Sequence, residues 1–197
     1  MNHSLKIAVA DDEVDMRDYF QKMLPLLGHQ VVSAASNGKE LLDNCRRNPP
    51  DLVITDIKMP ELDGIDAAVE LYKIHPLPVI LVSAYHDVEL IERAESDHVM
   101  AYLVKPIKQA DLEPAIGLAI HRFAQFQALR KEANDLRQAL SDRKIIERAK
   151  GVLMSRAGLS EPDSFKRLQK LASEKNKKLI EIATMIVTTE EAMGGVL

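Results

Sequence analysis

The first hundred residues alternate short apolar runs with amphipathic stretches. KIAVA at 6–10, VVSAA at 31–35, LVIT at 52–55, VILVS at 79–83 and AYLV at 101–104 are each four or five residues long and together rich in Val. Between the early runs, Met16, Phe20, Met23 and Leu24, and then Leu41, Leu42 and Cys45, fall at helical spacing. Strands buried on both faces read as unbroken apolar runs, and their alternation with helices predicts an α/β fold with a parallel sheet between two helical layers. From Leu112 to Ala157 the pattern becomes helical, with Pro114 in a first turn that tolerates it. A spacing of seven links Ala119, Phe126, Ala133 and Leu140, and a second register links Leu129 and Leu136, with Arg122 and Arg143 at its ends. Such a helix over 112–140 either packs against its twin in a dimer or folds back on the C-terminal third of the chain.

Beyond the connector, Ile145, Ile146, Ala149, Val152 and Leu153 form one apolar face. Gly158 suits a helix C-cap, and Ser160-Glu161-Pro162-Asp163 reads as a capped new start with an early proline. The next helix carries Phe165, Leu168, Leu171 and Ala172 inside, with Lys166, Arg167 and Lys170 outside. A third apolar segment, LIEIATMIV, comes after Asn176-Lys177. Gly151 leaves room for close approach by a neighbouring helix or a ligand.

Charge divides the chain in the same place. Residues 1–118 hold 11 Lys and Arg against 20 Asp and Glu, whereas 141–178 hold 11 against 5. An acidic front and a basic back predict two modules, the second facing an anionic partner. The chain has no Trp and only 4% aromatics, so its cores are aliphatic, and its single cysteine, Cys45, excludes an internal disulfide. MNHSLKIAVADDE turns acidic too early for a signal peptide and no apolar run approaches a membrane span, which predicts a cytoplasmic protein without membrane contact.

Ligands on parallel sheets bind beyond the carboxyl ends of the strands. Those ends carry Asp11, Asp12 and Glu13 after the first run, Asp56 after the third, Ser83 at the end of the fourth and Lys105-Pro106 after the fifth. Converging carboxylates repel one another unless a cation sits among them, and oxygen ligands favour Mg²⁺. Lys105 could meet a phosphoryl oxygen as a point charge, and Ser83 could donate a hydrogen bond to another. An aspartate can itself take the phosphoryl group as an acyl phosphate, and Asp56 is best placed to do so.

Residues 1–121 resemble the receiver domain of bacterial two-component response regulators, on the motifs ADDE, LVITDIKMPELDG, SAY and the lysine-proline pair. The resemblance implies a five-stranded doubly wound, flavodoxin-like parallel sheet in the order 2-1-3-4-5. It implies Asp56 as phosphoacceptor, and Asp11, Asp12, Asp56 and the backbone carbonyl of Lys58 as ligands of Mg²⁺. Ser83 and Tyr102 would be the switch pair, Lys105 would contact the phosphoryl oxygens, and the Lys105–Pro106 bond would be cis.

The basic bundle by itself fits a helix-turn-helix on DNA, an RNA binder or a protein-docking unit. Phe165 is its only aromatic, which excludes aromatic stacking platforms. From Leu136 onward, however, LRQAL, then IIERAKGVLMSRAGLSEPDSFKRLQKLA, then KKLIEIA resemble the ANTAR domain, the RNA-binding output of transcription antitermination regulators. Ser164, Gln169 and Ser173 depart from residues common in that family.

The implied organisation is a receiver domain over 1–121, a helical coiled-coil connector over 122–140, and an ANTAR three-helix output domain over 141–197 whose first helix continues the connector. Arg143, Arg148, Lys150, Lys166, Arg167 and Lys170 are the candidate RNA contacts, with Lys150 first for phosphate. The expected partners are a sensor histidine kinase, leader RNA stem-loops and a second copy of the chain. The rivals are a DNA-binding response regulator and a protein-docking adaptor that binds no nucleic acid. Outside the aspartyl site no catalytic constellation appears, so self-phosphorylation and dephosphorylation are the only chemistry expected.

Overall fold

The computed structural model describes residues 4–84 and 99–194, with side chains as far as 192. The chain divides into two compact units, residues 1–127 and 128–197. In the first, the apolar runs become strands β1 (Lys6–Ala10), β2 (Gln30–Ala35), β3 (Leu52–Asp56), β4 (Val79–Ser83) and β5 (Val99–Val104). All pair in parallel, in the order β2-β1-β3-β4-β5, as the receiver resemblance implies. Strands β3 and β4 are buried along their whole length, which is why their sequences show no alternation.

Helices α1 (Val14–Leu26), α2 (Gly38–Arg47) and α3 (Gly64–Ile74) come after the first three strands. Asn37 and Asp63 cap α2 and α3, accepting from the backbone N–H of Glu40 and Asp66. Two aliphatic cores lie on opposite faces of the sheet. One contains Ala8, Val53, Leu81, Leu41 and Leu71. The other contains Ile7, Val9, Ile54, Ile80, Phe20 and Leu24, and is closed by Leu112, Ile116 and Ala119.

Helix α4 runs unbroken from Gln109 to Ala157 across the boundary between the units, so connector and first output helix are one element. It ends where expected: Gly158 takes φ +64° and its N–H donates to the Met154 carbonyl at 3.1 Å. Helix α5 (Glu161–Glu174) starts on Ser160, whose hydroxyl accepts from the Asp163 N–H at 3.3 Å, with Pro162 in the first turn. Helix α6 (Leu179–Gly194) completes the bundle. Its core is Ala149, Leu168, Ala172, Ile182, Ala183 and Val187.

Two packing expectations for the bundle change. Phe165 is 37% exposed rather than buried. The inward position is its neighbour Ser164, fully buried, whose hydroxyl donates to the Ser160 carbonyl at 2.9 Å. That bond one turn back explains how a serine occupies an apolar site: its hydroxyl is satisfied locally. A Cβ on Gly151 would meet nothing within 4 Å, so among the described residues no neighbouring helix packs against it. Among the described residues, no helix is long and apolar enough to cross a membrane.

Candidate functional site

Strand register carries the candidate residues to one edge of the sheet. Ala10 pairs with Thr55, Asp56 with Val82, and Ser83 with Val104, so Asp11, Asp56, Ser83 and Lys105 emerge side by side. Asp11 is fully buried, Asp56 is 7% exposed and Ser83 is 1% exposed, while Asp12 is at the surface. Carboxylate oxygens of Asp11, Asp12 and Asp56 lie within 4.8 Å of one another. The Lys105 ammonium is 3.0 Å from Asp11 Oδ2 and 3.4 Å from Asp56 Oδ1. The Lys105–Pro106 peptide is cis.

Burial raises the Asp56 carboxyl to about 6; Lys105 resists that rise, and Asp11 and Asp12 add to it. Asp11 is also raised, chiefly by burial, against the Glu13 N–H and Lys105 that favour its charged form. Burial alone would lower Lys105, but the nearby carboxylates of Glu13, Asp11 and Asp56 leave it raised. Asp11 Oδ2 is buried and, despite the nearby ammonium, receives no aligned hydrogen bond. An under-satisfied carboxylate among three acidic groups with one lysine fits a hard divalent cation. The acidic trio can hold one, and a phosphoryl group on Asp56 would lie within reach of Lys105. Lys58 is exposed on the loop after β3, and Tyr102 is half-buried against the core. Tyr85, the last residue of the SAY motif, lies outside the described residues.

Four supporting residues were given no role by the sequence pattern. Glu13 brings a further carboxylate to Lys105, at 3.0 Å. Arg17 braces the acidic loop, donating to the carbonyls of Asp11 at 2.6 Å and Asp12 at 3.0 Å. Thr55 donates to the Asp56 carbonyl at 3.1 Å. Gly64 passes so close to that same carbonyl that any Cβ would collide with it, and its own N–H donates to Ile57 O at 2.9 Å. The contact that demands glycine at this position leaves no mark in the hydrophobic pattern.

Comparison with known proteins now decides the family. Residues 7–117 match the response regulator receiver domain, and residues 134–187 match the ANTAR domain. The chain belongs to the response regulator family, with an ANTAR output. It is 39% identical over 184 residues to the transcriptional regulatory protein PdtaR of Mycobacterium tuberculosis, covering 93% of this chain and 90% of that protein. It is 37% identical to a receiver domain structure from Clostridium thermocellum, with a TM-score of 0.55 over 59% of this chain and 94% of the other. A receiver joined to an ANTAR domain marks a response regulator acting in transcription regulation rather than a catalytic enzyme.

In the ANTAR module the candidate basic residues fall into two groups. Arg143, Lys166 and Arg167 are exposed and have no ion-pair partner among the described residues, and Lys170 lies 3.8 Å from Glu174. Arg148, by contrast, is held by Glu191 at 2.7 Å. Lys150, expected first for phosphate, is placed differently: its side chain is 9% exposed and its ammonium lies 2.8 Å from both Glu147 and Glu161. Hydrogen bonds to these carboxylates raise the lysine's pKa, and the bond from Lys150 lowers that of Glu161. With its donors occupied, Lys150 ties the last turns of α4 to the start of α5, and a phosphate would have to displace that clamp.

Proposed function

We propose that this response regulator is phosphorylated on Asp56 and, in that state, binds stem-loop RNA in nascent transcripts to promote antitermination. The observation that carries the reading is the union, in one chain, of a strand-edge Asp56 beside Lys105 with an ANTAR module. The first supports phosphoryl chemistry, and the second supports RNA as the output ligand.

Asp11, Asp12, Asp56 and the Lys58 carbonyl would hold Mg²⁺, which supplies charge neutralisation at the phosphoryl oxygens. An Asp56 oxygen attacks phosphorus as the phosphorus–nitrogen bond of the kinase phosphohistidine breaks, leaving an acyl phosphate. Lys105, already 3.4 Å from Asp56, then pairs with a phosphoryl oxygen. Ser83 donates to another, and Tyr102 turns inward behind it. The added charge biases the face around β5 and the start of α4. Along α4, Leu129, Leu136 and Leu140 are 66%, 60% and 62% exposed at heptad positions, an apolar seam that a second copy would cover. A sensor histidine kinase, leader RNA and a homodimer in the cytoplasm complete the scheme.

The test is transcription through a terminator preceded by paired stem-loops. Phosphorylated protein should raise read-through, and Asp56→Ala protein given the same phosphodonor should not. Read-through unaffected by the phosphorylated protein rejects the reading.

A further inference from the structure

The basic residues at the end of α4 are neutralised within the bundle. Arg148 pairs with Glu191, Arg156 with Glu190 at 2.9 Å, and Lys150 with Glu147 and Glu161. RNA affinity grows by replacing condensed counterions with uncompensated cations, so a residue already holding a carboxylate adds little. Apart from Arg143 further back on α4, the unmatched charge is concentrated elsewhere. Lys175, Lys177 and Lys178, in the turn between α5 and α6, are exposed and have no carboxylate partner among the described residues. Lys166 and Arg167, likewise without an ion pair among the described residues, lie on an exposed face of α5 leading into that turn, beside Lys170, which is held at 3.8 Å from Glu174. Across residues 164–181 these six cations face two carboxylates, Glu174 and Glu181.

The turn is also fixed in shape. Asn176 adopts φ +49°, its N–H donates to Ser173 O at 3.1 Å, and the Lys177 N–H donates to Ala172 O at 2.9 Å. This paired closure of a helix end holds the backbone of consecutive exposed residues in one conformation. The Lys178 N–H donates to Glu181 Oε2 at 2.7 Å, closing the start of α6. Lysines on a rigid turn reach phosphates without ordering the backbone at the moment of binding.

Resting on the RNA reading above, we infer that the ANTAR module takes RNA phosphate on the α5–α6 turn, through Lys175, Lys177 and Lys178, with the α5 face continuing the surface. Arg148 and Lys150 shape the bundle that presents it.

The test is binding of labelled hairpin RNA to the full chain across a salt series. The variants are K175Q/K177Q/K178Q, the charge-restoring K175R/K177R/K178R, and the pair-deleting R148Q/E191Q, each checked for wild-type helicity and melting. The glutamine triple should lose at least about tenfold in affinity, and its log K against log salt slope should fall by about two to three. The arginine triple should restore binding, and R148Q/E191Q should match wild type. A glutamine triple with wild-type affinity and slope overturns the assignment, as does a loss confined to R148Q/E191Q. A wild-type chain that binds no hairpin overturns the RNA reading as well, a result distinguishable from either of these.

Discussion

Replacing Asp56 by asparagine should stabilise the metal-free receiver even as it abolishes phosphorylation. Asp56 is 7% exposed, and its carboxyl is raised from 3.8 to about 6, mainly by burial. A folded-state pKa above the unfolded one means that folding favours the protonated acid. That contribution is fully present below about pH 4 and is lost as pH rises through about 6. Two units correspond to about 3 kcal/mol, so at neutral pH the ionised group costs the fold about 2–3 kcal/mol that a neutral isostere avoids. All four tyrosines, Tyr19, Tyr72, Tyr85 and Tyr102, lie in residues 1–127, so tyrosine fluorescence reports on this unit alone. Urea unfolding in chelator at neutral pH should show Asp56→Asn unfolding roughly 1 M later, with the gap closing toward pH 4. Added Mg²⁺ should stabilise wild type and leave the variant nearly unmoved. A gap independent of pH, or a less stable variant, would refute the electrostatic reasoning.

The packing leads to three further expected outcomes. Lys150→Met leaves Glu147 and Glu161 facing each other without their shared cation, so the helical melt of the bundle should begin at lower temperature by circular dichroism; an unchanged melt contradicts the clamp. Gly64→Ala places a methyl against the Asp56 carbonyl, and phosphodonor labelling should fall sharply because the acceptor is displaced; normal labelling would show that the loop can yield. Burial raises the Cys45 thiol to about 12, so it should resist alkylation at mildly alkaline pH until urea unfolds the chain, and its contribution to stability should fade as pH climbs from about 9 to 12.

The receiver site was legible because a doubly wound sheet converts sequence position into spatial position. Once LVIT and VILVS are read as parallel buried strands, Asp56 and Ser83 must share an edge with Asp11 and Lys105. Glu13 was named at the strand end without a role, and Arg17 not at all, because their roles depend on how the β1–α1 loop and first turn bend, which no periodicity encodes. In the bundle, helical period separated core from surface but could not separate a free surface cation from a paired one. Lys150 and Lys166 look alike in sequence, and only the arrival of Glu161 from the next helix tells them apart. Phe165, expected inside, is exposed for a related reason. An apolar residue beside a capping turn draws the eye inward, whereas the local hydrogen bond to Ser160 lets the serine take the buried position.

Control of RNA binding by phosphorylation at Asp56 is the point on which the whole scheme turns. It is tested by the affinity of the full chain for a paired-hairpin RNA and for duplex DNA of equal length, with and without a phosphoryl mimic at Asp56, across a salt series. The hairpin should be preferred, and the mimic should strengthen its binding in wild type and leave it unchanged in Asp56→Ala. Equal or tighter binding to the duplex, or hairpin affinity indifferent to the mimic, would contradict that control.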